Sequence, residues 1–87
     1  MYMVVIEKQL TNEELMKIFG GNVQKYRIQR NLTQQRLAEI LNCSIVFLSM
    51  LENGHYGVQF KNIAQLANAL HIEPYQLFEI DESLKRL

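Results

Sequence analysis

The sequence predicts an all-α fold: a bundle of five short helices preceded by a short strand-like arm. Three observations carry this. Good N-cap residues, Thr11, Thr33 and Ser44, stand ahead of successive apolar-periodic stretches. Residues that stop helices, Asn31, Asn42 and Gly54, follow those stretches. Apolar positions recur at the helical period instead of alternating as a strand requires. With 87 residues, 48% of them apolar, the chain suffices for one packed domain.

The elements follow in order. Residues 2–6 (YMVVI) are β-branched and aromatic. They read as a strand or extended arm that covers the domain or pairs with the same segment of a second chain. Thr11 and Glu14 have the spacing of a capping box and open a helix. Gly20-Gly21 interrupts it, and each glycine costs roughly 1 kcal/mol relative to alanine inside a helix. A break is therefore expected here, with the first helix proper running from near Gly21 to Gln29 or Arg30. Asn31-Leu32 forms a turn, and Thr33 caps a helix over 34–41. Asn42-Cys43 forms the next turn, and Ser44 caps a third helix from 45 to about 53, which Gly54 ends. After a loop over 55–59, Phe60, Ile63, Ala67 and Leu70, with Leu66 alongside, mark the apolar stripe of a fourth helix. Pro74 suits the first position of a fifth helix carrying Leu77 and Phe78. The organisation is an arm and helix start at 1–14, a helical domain at 15–80 and a charged tail at 81–87.

Composition bounds the function. The one cysteine, Cys43, can form no internal disulfide, and the chain reads as cytoplasmic, without a secretory leader. No apolar run approaches bilayer length, so no membrane partner is expected. Nine acidic and nine basic residues cancel, but unevenly. Residues 15–38 hold Lys17, Lys25, Arg27, Arg30 and Arg36 with no acid, while six acids face three bases over 39–87. One part of the surface can thus face a polyanion. No Gly-rich phosphate loop, zinc spacing or nucleophile motif occurs, and His55 and His71 have no acidic partner at a telling spacing. No catalytic residue, metal or cofactor is expected, and the chain does not read as an enzyme.

Residues 34–53 meet the demands of two short helices joined by a tight turn, the helix-turn-helix geometry. Leu37, Leu41, Leu48 and Leu51 supply apolar contacts. Ala38 lies where the helices approach most closely. Asn42 takes the turn position that needs a positive φ, and Cys43 is a small apolar plug after it.

The segments LTQQRLA (32–38), LSMLENG (48–54) and LANAL (66–70) together resemble the phage lambda-repressor/Cro-like (XRE) helix-turn-helix family, over about residues 20–79. The resemblance implies a five-helix bundle and a DNA-binding transcriptional regulator, here a repressor, acting as a homodimer on double-stranded DNA. It implies a structural ion pair between Arg27 and Glu52. It places Gln34, with Gln35 and Arg36 beside it, against the DNA backbone. It turns Ser44, Ile45, Val46, Ser49 and Met50 toward the major groove, and sets Asn53, His55 and Tyr56 near phosphate. Dimer contacts are expected from Tyr75, Phe78 and Ile80 or from the arm at 2–6.

The sequence departs from the family pattern on the third helix. Ile45, Val46 and Met50 stand where many relatives are polar or basic. Such side chains cannot hydrogen-bond a base edge, although they can touch thymine methyl groups. The same apolar stripe suits a protein partner. The alternative reading is therefore a protein-interaction module, antitoxin-like or anti-repressor, on the same scaffold.

Overall fold

The computed structural model describes residues 9–80. Four α-helices follow one another: α1 (Asn12–Gln29), α2 (Gln34–Leu41), α3 (Ile45–Glu52) and α4 (Phe60–Leu70). A five-residue 3₁₀ helix, Pro74–Phe78, closes the bundle. Pro74 thus begins a helical turn, but the expected fifth α-helix is a 3₁₀ segment. No strand occurs among the described residues, and the expected arm at 2–6 lies outside them.

The caps follow from side-chain chemistry. The Thr11 hydroxyl accepts from the Glu14 backbone N–H at 3.1 Å, and the Glu14 carboxylate accepts from the Thr11 N–H at 3.0 Å. Thr33 Oγ1 accepts from the Arg36 N–H at 3.0 Å, and Ser44 Oγ from the Phe47 N–H at 3.0 Å. The helix ends share one geometry. The N–H groups of Leu32, Cys43, His55 and Ile72 reach back to the carbonyls of Arg27, Ala38, Met50 and Ala67 at 2.9–3.1 Å. The residue before each of those donors has a positive φ: Asn31 (58°), Asn42 (56°), Gly54 (78°) and His71 (56°). Each helix therefore stops by a left-handed residue that lets otherwise orphaned carbonyls find partners.

The expected break at Gly20-Gly21 does not form. Helix α1 runs unbroken for 18 residues, about 27 Å. The reason is packing. A Cβ on Gly20 would run into the Leu51 carbonyl oxygen and sit 2.8 Å from the Glu52 carbonyl oxygen. Gly20 lets α1 lie directly on the end of α3. A Cβ on Gly21 would meet nothing within 4 Å.

The core is Phe19, Val23, Tyr26, Leu37, Ala38, Leu48, Leu51, Leu66, Ala67, Leu70 and Leu77, with Leu41 and Cys43 packed against it half-buried. Phe60, expected on the buried stripe of α4, is 89% exposed, because it is the first residue of its helix and lies beyond the core. The 3₁₀ segment docks on α1. Asn22 Nδ2 donates to the carbonyls of Leu77 and Glu79, each at 2.9 Å, and the Tyr26 hydroxyl donates to Glu79 Oε1 at 2.5 Å. Among the described residues no buried side-chain nitrogen or oxygen lacks a hydrogen-bond partner.

Candidate nucleic-acid interface

Helix α3 is two-sided. Leu48, Leu51 and Glu52 are buried behind it. On the other side Ser44 is exposed, Ile45 is 46% exposed and Val46 64% exposed, with Ser49 and Met50 half-buried. Ile45 and Val46 thus both keep apolar surface open to solvent. The Phe47 ring lies 5.3 Å from that of Tyr56, which fastens the following loop to the helix. Asn53 Nδ2 donates to the Ser49 carbonyl at 2.8 Å, so its amide is engaged in closing α3.

The back of α3 is held by one carboxylate. Arg27 Nε donates to Glu52 Oε2 at 2.7 Å, and Arg27 Nη2 to Oε1 at 3.1 Å. The Glu52 side chain is only 1% exposed. Arg27 Nη1 also donates to the Leu32 carbonyl at 2.8 Å. Gln34 Nε2 adds a third bond to the carboxylate, reaching Glu52 Oε1 at 2.9 Å. Glu52 thereby ties α1, α2 and α3 together, and two donors on separate elements offset the cost of burying its charge. Gln34, expected to face the DNA backbone, has one amide N–H committed inward.

Around α3, Gln35 and Arg36 on the first turn of α2 are exposed, as are Asn53, His55 and Tyr56 after α3. Of the five cations in 15–38, two have structural work. Arg27 pairs with Glu52, and Arg30 donates to the carbonyls of Leu70 at 2.8 Å and His71 at 2.9 Å, capping the end of α4. Lys17, Lys25 and Arg36 are exposed, and the Lys25 ammonium stands 4.7 Å from the Tyr26 ring centroid. Lys17, expected only as one of several cations able to face a polyanion, lies beside the end of α3, a placement that the sequence did not indicate. A Cβ on Gly54 would meet Lys17 Cγ at 2.6 Å and its Cα at 2.9 Å, so the α1 backbone passes directly against the end of α3. No local pattern announces that contact, because the two residues stand 37 positions apart along the chain.

Cys43 has its pKa raised by burial, which disfavours the thiolate. Among the described residues no three His, Cys, Asp or Glu side chains gather to hold a metal ion, and no helix is long and apolar enough to cross a membrane.

The two capped helices α2 and α3, joined through the left-handed Asn42, lie within residues 23–77, which match the family HTH_3 (helix-turn-helix). The chain belongs to the HTH_3 helix-turn-helix family. The restriction-modification controller protein C.AhdI from Aeromonas hydrophila is 33% identical, with a TM-score of 0.68 over 72% of this chain and 96% of that one. The clp gene regulator ClgR from C. glutamicum is 26% identical, with a TM-score of 0.71 over 74% of this chain and 82% of that one. A hypothetical transcription factor, NHTF from Neisseria, shares the fold at 22% identity, with a TM-score of 0.74 over 99% of this chain and 100% of that one. No functionally curated protein matches by sequence. The HTH_3 match begins at Val23, so the first half of α1, Lys17 included, lies before it.

Proposed function

We propose that this chain is a sequence-specific transcriptional regulator, acting as a repressor, that binds double-stranded DNA as a homodimer. The observation that carries the reading is the open N-terminal face of α3: Ser44, Ile45 and Val46 point away from the bundle while Leu48, Leu51 and Glu52 fix the helix from behind. Helix α3 enters the major groove, where Ser49 and Met50 complete its contact face. The first turn of α2, with Gln34, Gln35 and Arg36, lies over the backbone, where free N–H groups and the helix dipole favour phosphate. Asn53, His55 and Tyr56 meet phosphate on the far side, and Lys17 supplies positive charge beside them. Gene regulators among the similar structures support this reading.

Two copies present their α3 helices about 34 Å apart to successive major grooves. Tyr75 (69% exposed), Phe78 and Ile80 form the dimer contact. Phe78 shares its ring with the core, lying edge-on to Phe19 at 5.2 Å. The test is selection of binding sites from random duplex DNA, followed by a salt titration. A near-palindromic consensus whose affinity falls steeply with salt supports the reading. Weak, salt-insensitive binding with no consensus overturns it.

The apolar exposure of Ile45 and Val46 favours a second reading, a protein-interaction module of antitoxin-like or anti-repressor type. Under it, Val46→Lys abolishes a protein complex and leaves DNA affinity intact or raised. Under the regulator reading, the same change alters which DNA sequences are selected.

A further inference from the structure

We propose that α3 reads thymine by its 5-methyl group, so that 5-methylcytosine can stand in a thymine's place; this rests on the DNA-binding reading above. The reasoning starts from what α3 can offer a base edge. Its eight residues include one charged side chain, Glu52, which is buried and held by Arg27 and Gln34. It has no Arg, Lys, Asn or Gln, the side chains that make two-pronged hydrogen bonds to guanine or adenine. Each neighbouring amide has one N–H committed inward, Asn53 Nδ2 to the Ser49 carbonyl and Gln34 Nε2 to Glu52, which leaves neither free to present both of its N–H groups to a base. Ser44, the cap, uses its hydroxyl oxygen to accept from the Phe47 N–H. What remains outermost is hydrocarbon: the branched side chains of Ile45 and Val46.

The major groove presents one hydrocarbon group among its standard base edges, the thymine C5 methyl. Burying it against Ile45 or Val46 removes apolar surface from water on both partners. Cytosine methylated at C5 carries the same group at the same ring position. Its exocyclic donor replaces thymine's acceptor, a difference that the hydrocarbon face of Ile45 and Val46 cannot sense by hydrogen bonding.

The experiment uses the full chain and the consensus duplex from the selection above. Each thymine is replaced singly by deoxyuridine, which removes the methyl and keeps the pairing. Losing one buried methyl is worth ~0.8 kcal/mol, about four-fold in Kd, at the one or two thymines that face α3 in each half-site. At those positions 5-methylcytosine opposite guanine binds more tightly than unmodified cytosine. The measurement is repeated with Ile45→Ala and Val46→Ala, both at exposed positions where folding is undisturbed. The thymine-to-deoxyuridine ratio shrinks toward one in the variant that loses the contact, the coupling expected only of a direct pair. If the consensus lacks thymine opposite α3, the inference is overturned. It is also overturned if every deoxyuridine duplex binds within about 1.5-fold of the parent, or if both variants keep the full ratio. In each of these results salt-dependent, sequence-specific binding leaves the regulator reading standing. Absence of any selected sequence removes both.

Discussion

Replacing each glycine of the Gly20-Gly21 pair by alanine separates helix propensity from packing at adjacent positions. Both lie inside α1, so each substitution gains roughly 1 kcal/mol of propensity. At Gly21 nothing opposes the gain, since the new methyl meets no atom within 4 Å. Gly21→Ala therefore stabilises the protein by about 0.5–1 kcal/mol. At Gly20 the methyl would press on the Leu51 carbonyl oxygen and lie 2.9 Å from the Glu52 carbonyl carbon. The carbon–carbon optimum is about 3.5–4.0 Å, so this contact alone requires α1 and α3 to separate by roughly 0.6–1.1 Å, and the nearer Leu51 oxygen requires more. The obstacle is backbone, which cannot rotate aside as a side chain can. That shift also stretches the Arg27–Glu52 pair, whose bonds span the same two helices. Overpacking of this kind costs typically ~1–3 kcal/mol. With the strained ion pair added, the net effect of Gly20→Ala is a loss of about 2 kcal/mol after the propensity gain. Urea unfolding followed by circular dichroism at 25 °C measures both. The packing argument is refuted if the two variants shift the midpoint in the same direction.

Three further outcomes follow from the same geometry. Arg27→Met strands a carboxylate that is 1% exposed and costs roughly 3–5 kcal/mol, whereas Arg27→Met with Glu52→Leu recovers most of the loss; equal loss in the single and double variants, read by thermal unfolding, contradicts it. Lys17→Ala lowers DNA affinity for consensus and random duplexes alike and reduces the slope of log K against log salt by about 0.9; an unchanged slope removes Lys17 from the interface. Cys43, whose thiol is pushed above its ordinary range by burial, alkylates at neutral pH many-fold more slowly in the folded protein than in urea. Because the folded pKa is the higher one, this group's contribution to stability is present below the unfolded thiol range and fades as pH rises through the folded value. Matching alkylation rates in the two states, or a pH dependence of opposite sign that Cys43→Ala abolishes, counts against that account.

The parts of the fold that depend on neighbours in the chain were legible. Thr11, Thr33 and Ser44 cap where their spacing says they should, because a capping bond spans only three residues. Asn42 takes the left-handed turn for the same local reason. Contacts that span the bundle were not legible from spacing, and the Arg27–Glu52 pair, 25 positions apart, was expected only from the family resemblance. Gly20 looks like a helix breaker until α3 lies across it. Arg30 looks like surface charge until the end of α4 arrives to receive its hydrogen bonds. Gln34 and Glu52 stand 18 positions apart, and no periodicity links an amide on α2 to a carboxylate on α3. The candidate surface was half-visible. The family motif pointed to the outward residues of α3, but the presence of Lys17 beside Gly54 comes from the first half of α1, before the matched segment.

The carboxylate of Glu52 has one more consequence. It joins three helices through hydrogen bonds that lie wholly behind α3. The outward positions 45, 46 and 49 contribute nothing to that knot. Under the proposed regulator reading, target preference and thermal endurance are thus written on opposite sides of a single eight-residue helix. Rewriting the outward side for a new operator would leave every hydrogen bond of that carboxylate in place.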